Sequence, residues 1–536
     1  MDTATPPDPS SGIAAHEAEI VTDPRRQRNI LIAMCTALIA VIASVSGLNV
    51  AQQDLAIDLG ASQGDLLWII NGYTLALAAL LLPIGAIGDR WGRKPIIVTG
   101  LVLFAAANAL GGLATTVEVL LLARTLAGVA AAMIMPVTLS VITSSFPAEQ
   151  RGRAVGIWSG FAGAGGILGM FVSSFLIDQF TWPWLFTMPV AFALLSLVIT
   201  LGVVPNSREH HAGRFDTVGS LLSAIAIGGL VLGIHEGPEK GWTHSLTLVG
   251  LIAGVAALVA FVVWELRQER PLLEIRLFAN RGLAAGSLTL LIVFAVMFGI
   301  FLVLTQFMQA VLSYSALAAA GALLPMMAVM MPLSATAPTI AKRYGTRNVM
   351  LGGIVLFGLG LALLAMMVSA AGGYWSVIPG LIVVAVGIGL LMTPSTMTIT
   401  ESLPPEKQGV ASALNDTVRE LGGAVGIALL GSVVSAGYRS SVSDATADLS
   451  PQLAHRVEEG IGAAFAASGD LGSAAPSVLD AARDALVDGW RLAMWFGVAI
   501  AGAAFLYLLL RGPRPADVLA EDALDDGLEL QPVAGS

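Results

Sequence analysis

The chain is poor in charge: Asp, Glu, Lys and Arg make up only 12% of its 536 residues. That is about half the share found in soluble domains, so a solvated globular fold is excluded. Cysteine is almost missing. Cys35 is the single one, which rules out an internal disulfide or a cysteine metal cluster and leaves a small buried hydrophobe. No GxxxxGK[ST] occurs, so no P-loop ATPase motor is expected, and GxGxxG, HExxH and CxxC are missing too. No basic stripe is present, which removes nucleic acid as a partner. The formal charge of −10 does not mark an acidic partner surface, because much of it lies in two solvated stretches, 439–489 and 513–536. No metal, no cofactor and no enzymatic activity are expected.

What remains is apolar sequence, 56% of the chain. It comes in runs of roughly twenty residues, the length that crosses the hydrocarbon core as a helix. Barrel strands would alternate, and these runs do not. The runs fall near 30–52, 66–86, 95–112, 117–142, 154–177, 184–204, 216–235, 245–266, 283–304, 316–338, 348–371, 377–400, 410–436 and 490–510. The first is too long for a signal-peptide core and reads as a retained span. Fourteen spans put both termini on one side. A cytoplasmic placement leaves 20 of the 27 Lys and Arg inside, as the positive-inside rule requires. Arg124 and Arg419 are left within spans.

A repeat is legible at an offset of 257. Residues 145–169 read SFPAEQRGRAVGIWSGFAGAGGILG and 402–426 read SLPPEKQGVASALNDTVRELGGAVG. A second pair, Asp89-Arg90-Trp91-Gly92-Arg93-Lys94 and Lys342-Arg343-Tyr344-Gly345-Thr346-Arg347, repeats at an offset of 253. Both copies enter the membrane in the same sense, so the halves are parallel repeats with a substrate site expected between them near the midplane. The organisation follows: a tail 1–29, a six-helix bundle 30–204, two inserted helices with linkers 205–282, a second bundle 283–511 with an outer loop 437–489, and an acidic tail 512–536. In the outer loop, Ser450-Pro451 reads as a helix start, with Ser at N-cap and Pro at N1.

Gly85-Ala-Ile-Gly-Asp89-Arg90-Trp-Gly92-Arg93-Lys94 joins the second and third spans. It strongly resembles the loop signature GxxxDRxGRK of the major facilitator superfamily. Physically, Gly85 allows close helix approach, Gly92 makes a tight turn, and Asp89 can pair with basic or helix-end groups in one conformation only. Arg124, in LLLARTLAG, matches that superfamily's fourth-helix motif, and a charge inside a span is a functional candidate. Structural pairing with a neighbouring helix is the alternative. Further features are similar to the fourteen-helix drug:proton antiporter family of the EmrB/QacA type: Trp68 with Tyr73, Asp216-xx-Gly219, Gly237-Pro-Glu-Lys-Gly-Trp242, Arg270-Pro271, and Asn415-Asp416-Thr-Val-Arg419-Glu420-Leu-Gly422-Gly423. The resemblance implies an all-α membrane protein with the major facilitator fold, two six-helix bundles plus two inserted helices.

Asp416 and Glu420 stand four apart, so they share one helix face about 6 Å apart along the axis. Counted from Gly409 they lie about 10–17 Å into the helix. A carboxyl group withdrawn from water can alternate between neutral and charged forms, which a proton-driven cycle needs. A buried structural Asp–Arg network is the other reading. In the family, acidic residues at such positions go with proton coupling or cation recognition.

The departures from that family matter as well. Its first helix usually reads LDxxIVNVALP. Here Ser44 stands at the Asp position and Gln52-Gln53 replace Leu-Pro. The fifth-helix GPxxGG appears as Gly169-Met170-Phe-Val-Ser173-Ser174, which keeps a packing surface of Gly163, Gly165, Gly166 and Gly169 but loses the proline kink. Coupling is therefore expected at span thirteen, with Arg124 in support. Met326, Met327, Met330 and Met331 crowd span ten, as an adaptable pocket wall or as plain core.

Taken together, the sequence reads as a secondary exporter in the bacterial plasma membrane, working as a monomer in contact with membrane lipid. It would exchange amphiphilic small molecules for protons by alternating access. A specific carrier of one endogenous metabolite, such as a self-made antibiotic, remains open, as does a membrane sensor or channel.

Overall fold

Within hydrocarbon, backbone N–H and C=O groups must be satisfied inside the segment, and the apolar runs meet this as α-helices. The computed structural model describes residues 20–48, 51–207 and 215–513. Among them fourteen helices are long and apolar enough to cross a membrane. They are α1 Pro24–Leu48, α2 Gln63–Trp91, α3 Arg93–Gly112, α4 Val117–Ser145, α5 Ala148–Gln179, α6 Thr187–Val203, α7 Thr217–Lys240, α8 Ser245–Glu265, α9 Arg281–Gln306, α10 Leu324–Tyr344, α11 Thr346–Met367, α12 Ile378–Thr400, α13 Gln408–Thr446 and α14 Ala475–Arg511. Most of the tail 1–29 and nearly all of 512–536 lie outside the described residues, as do Asn49 and Val50.

Several boundaries differ from the apolar runs. The first run was expected to continue to residue 52, but α1 stops at Leu48 and a separate short helix spans Gln52–Leu59, ended by Gly60 in the left-handed region (φ 63°). The tenth run is two helices. Ser315 caps Ala316–Gly321 by accepting from the Ala318 amide, and Pro325 in the first turn of α10 starts the second. The outer loop 437–489 is largely helical. α13 runs on to Thr446 and α14 begins at Ala475, with helices Pro451–Glu458 and Ile461–Ala466 between them. Ser450 caps the first of these through Leu453 N (3.4 Å), with proline at the N1/N2 position. Tyr438 Oη donates to Val457 O at 3.0 Å, and Val457, Ile461, Ala464 and Val478 are buried, so this segment is a packed cap on α13 and α14.

The sequence repeat reappears in the backbone. Gly92 (φ 109°) separates α2 from α3, and Gly345 (φ 85°) separates α10 from α11 at the corresponding place. One core gathers α1 to α6 around Leu38, Phe104, Ile134 and Trp158. A larger one gathers α9 to α14 around Phe307, Phe357, Leu391 and Trp490.

Two seams join the halves. Along the first, Gly152, Gly156 and Gly160 of α5 back onto Pro338, Ser334 and Met331 of α10. A methyl group on Gly156 would stand 2.7 Å from the Ser334 carbonyl oxygen, so glycine sets this helix distance. α5 continues unbroken for 32 residues, without an internal proline. The second seam sets α2 against α13, and α7 of the inserted hairpin packs on both of these helices. Within the hairpin, Gly229 meets Gly250 and Gly254 at backbone distance.

Candidate functional site

α13 carries the intramembrane charges. Its N-terminal half is almost wholly buried, from Gln408 through Arg419. Asp416 is 0% exposed; one of its oxygens accepts from Asn415 Nδ2 (3.1 Å), while Oδ2 has no hydrogen-bond partner. Glu420 is different. It is partly open, and no hydrogen bond reaches it among the described residues. Arg419 interacts electrostatically with both carboxylates. Its Nη2 donates to Thr396 Oγ1 on α12 (2.9 Å), and its guanidinium lies 4.9 Å from the Trp158 ring centre and 5.2 Å from that of Phe294. Trp158 belongs to the N-terminal half, where its indole N–H is held by Thr138 Oγ1 at 3.0 Å. Arg419 therefore bridges the two halves with one face on each.

Arg124 answers from α4. It is 1% exposed and lies over the Tyr73 ring at 4.3 Å. Its Nη1 donates to Ser44 Oγ (2.9 Å) and its Nε, at a longer 3.4 Å, to Ile69 O. The Ser44 hydroxyl in turn donates a hydrogen bond to Asn108 Oδ1 (3.0 Å). Tyr73 donates to Val41 O and is in electrostatic reach of Glu420. The structure thus brings Arg124, Tyr73, Arg419, Asp416 and the partly open Glu420 within electrostatic reach of one another across the two halves.

The signature loop lies at the face that carries both ends of the bundle. Asp89, 2% exposed, accepts from Arg93 Nη2 (2.7 Å) and also from the amides of Gly409 (2.7 Å) and Val410 (3.0 Å), the first turn of α13. A carboxylate at a helix N-terminus meets free N–H groups and the positive end of the dipole. Gly85 lets the helices close. A methyl there would be 2.6 Å from both Gly409 O and Ala413 Cβ. Gly92 needs its positive φ, and Lys94 Nζ donates to Leu201 O at 3.0 Å. Arg90 lines a cavity of about 450 Å³ beside the loop, together with Asp216, Glu265, Arg270 and Lys407. Of the α5 glycines, Gly163 sits against the sulfur of Met392 and the methyl of Met330, and Gly165 against Ile42; Gly169 is buried and Gly166 half-buried. Met326 and Met330 are core, with Met327 and Met331 at its margin.

The residues that the sequence did not single out are mostly partners: Trp158, Thr138, Thr396, Phe294 and Asn108. Trp158 had one signal. It stands at the repeat position of Asn415, next to the charged stretch of the other copy. We expect Trp158→Leu to cost Arg419 a cation–π contact of about 0.5–2 kcal/mol. Transport should then slow by about twofold to thirtyfold at matched protein level. A wild-type rate would mean that Thr396 and Phe294 suffice to hold Arg419.

Two pseudo-equivalent six-helix bundles, joined along glycine seams with charged groups enclosed between them, have the architecture of rocking-type transporters. A family model described as Major Facilitator Superfamily matches residues 32–427, and the chain belongs to that superfamily. The multidrug efflux pump LfrA of Mycolicibacterium smegmatis is 34% identical over 81% of this chain and 86% of that protein. The tetracenomycin C resistance and export protein of Streptomyces glaucescens is 29% identical over 92% of this chain and 93% of its own. Among solved structures, the proton:xylose symporter XylE aligns over 91% of this chain and 96% of that chain, with a TM-score of 0.57 and 12% identity. That likeness concerns the fold alone.

Proposed function

We propose that the protein exports amphiphilic small organic molecules from the cytoplasm in exchange for protons, with Glu420 as the principal proton carrier. The observation that carries the proton assignment is the contrast on one helix face. Asp416 is sealed and held by Asn415, whereas Glu420 is partly open, without a hydrogen bond among the described residues, and flanked by Arg419 and Asp416. A carboxyl group so placed can exchange a proton with whichever side the cavity faces. Export is supported by the efflux and resistance proteins to which the chain is similar. The face bearing Asp89, the start of α1 and the end of α14 is assigned to the cytoplasm on the distribution of Lys and Arg. The working unit is a single chain in contact with lipid.

Asp89 and the loop Gly85–Lys94 act as the switch. They join α2 to the start of α13 and must part when the cytoplasmic side opens. The test is a screen of antibiotics and dyes in cells with and without expression, with and without a protonophore. Expression should lower the accumulation of at least one compound, and the protonophore should abolish that difference. A flux that persists without any gradient would point to a channel instead.

A further inference from the structure

The positive charge of Arg124 has no carboxylate of its own. A guanidinium offers five N–H donors. Among the described residues, Arg124 uses Nη1 toward Ser44 and Nε toward Ile69 O, and its Nη2 has no partner. No acidic group among those residues lies within ion-pairing distance of it. The first-helix position that faces it holds a neutral hydroxyl. That hydroxyl accepts from Arg124 and spends its one O–H on Asn108, which is itself tied to Phe104 O at 2.8 Å. The compensation present is the π face of Tyr73.

From this geometry we infer that Ser44 sets the charge class of the cargo: uncharged amphiphiles whose carbonyl or similar oxygen accepts from Arg124, in preference to organic cations. The inference rests on the proton-exchange reading above and narrows its substrate.

Charge balance supplies the argument. The described polar chain holds two cations, Arg124 and Arg419, against two carboxylates, Asp416 and Glu420. With both carboxylates ionised the site is neutral, and with Glu420 protonated it carries one positive charge. A cationic cargo therefore never meets a net negative site, and near Arg124 it meets an unpaired cation in a medium that screens poorly. An anionic cargo is excluded by the direction of coupling. Protonating Glu420 would strengthen its binding, so proton and anion would travel together, whereas exchange requires them to be alternatives. An uncharged cargo with a hydroxyl or amide donor satisfies both conditions. Its donor engages the ionised carboxylate of Glu420, its oxygen takes the open N–H of Arg124, and a proton on Glu420 removes the charge that made that acceptor strong. Each turnover then moves one positive charge inward, so the membrane potential drives export as well as the pH gradient.

The experiment uses the full chain in proteoliposomes, with chloramphenicol as the uncharged probe and tetraphenylphosphonium as the cation. We expect wild type to transport chloramphenicol about tenfold faster than the cation, since about 1.4 kcal/mol of repulsion suffices for that ratio. A potential set by potassium and valinomycin, negative on the side from which cargo leaves, should accelerate chloramphenicol efflux. Ser44→Asp supplies the missing carboxylate and should shift the ratio at least about tenfold toward the cation, while Ser44→Asn should leave it unchanged. Comparable wild-type rates for the two probes would overturn the inference, as would no chloramphenicol transport, indifference to potential, or an unchanged ratio in Ser44→Asp. Proton-coupled transport of tetraphenylphosphonium by the wild type at or above the chloramphenicol rate would sink this charge class while leaving the proton-exchange function standing. Uncoupled transport of either probe would sink the function itself.

Discussion

Glu420→Gln protein in proteoliposomes is expected to lose accumulation of cargo against its gradient while keeping counterflow of labelled for unlabelled compound. Glutamine preserves the size and hydrogen-bonding capacity of the side chain at this depth in α13, but it cannot release a proton. Counterflow needs only binding and the movement of the loaded halves, and both survive at a reduced rate, because the amide oxygen of glutamine accepts a hydrogen bond more weakly than a carboxylate. Accumulation needs the carboxyl to take its proton on one side and give it up on the other, which ends. Substrate-induced proton release should fall to the level of empty liposomes, a loss of two orders of magnitude or more when a sole general acid–base group is removed. Asp416→Asn should be milder. Asp416 is wholly enclosed and already tied to Asn415, one turn nearer the start of α13, so its neutral replacement changes the electrostatics around Arg419 more than proton traffic. If both variants release protons normally, neither carboxylate carries the proton, and Arg124 with its polar neighbours becomes the better candidate.

Much of this arrangement was legible in the residues themselves, because the bilayer restricts the choices. An apolar run of about twenty residues has one stable form in lipid, so fourteen runs became fourteen helices. The i, i+4 spacing of Asp416 and Glu420 by itself puts them on a common helix face. What the sequence could not show was contact between distant segments. Nothing local to Arg419 announces Trp158, which lies 261 positions earlier in the chain and on the other half. Nothing local to Ser44 announces that its hydroxyl, and no other first-helix group among the described residues, receives Arg124. Element ends were misread where hydropathy and helix termini part company. Polar residues 437–446 looked like the start of a loop, yet α13 continues through them because Val442 and Tyr438 pack under the outer helices.

The repeat also shows how the halves diverged. At the offset of 257, Gly163 corresponds to Glu420 and Trp158 to Asn415. One copy has kept a glycine face for close packing against α10, and the other has acquired the titratable groups. The signature loop diverged in the same way. Lys342 stands where the first copy has Asp89, so the helix-end contact that Asp89 makes with α13 has no acidic counterpart at the start of α5.

That asymmetry makes Asp89→Asn the sharpest test of the switch. Asp89 accepts two backbone amides from the first turn of α13 and a charged contact from Arg93 at once, all in a site closed to water. Hydrogen bonds to a charged group are each worth about 1.5–3 kcal/mol, and asparagine keeps the shape while removing the charge that makes them strong. Gly409 and Val410 would then be capped by a neutral oxygen on one side only, since the amide nitrogen of asparagine cannot accept. The closed arrangement at this face should lose several kcal/mol relative to the open one, and the cycle would stall with the cytoplasmic side parted. We expect transport to drop about a hundredfold or more, with membrane insertion and protein level unchanged, because α2 and α13 keep their apolar packing. The structural readout is independent of cargo. A cysteine placed at Ala413, buried against Gly85 in the closed form, should be labelled slowly by a water-soluble maleimide in otherwise wild-type protein and rapidly in the Asp89→Asn background. Equal labelling together with wild-type efflux would show that the halves close on the glycine contact alone, and the role of Asp89 as the switch would have to be abandoned.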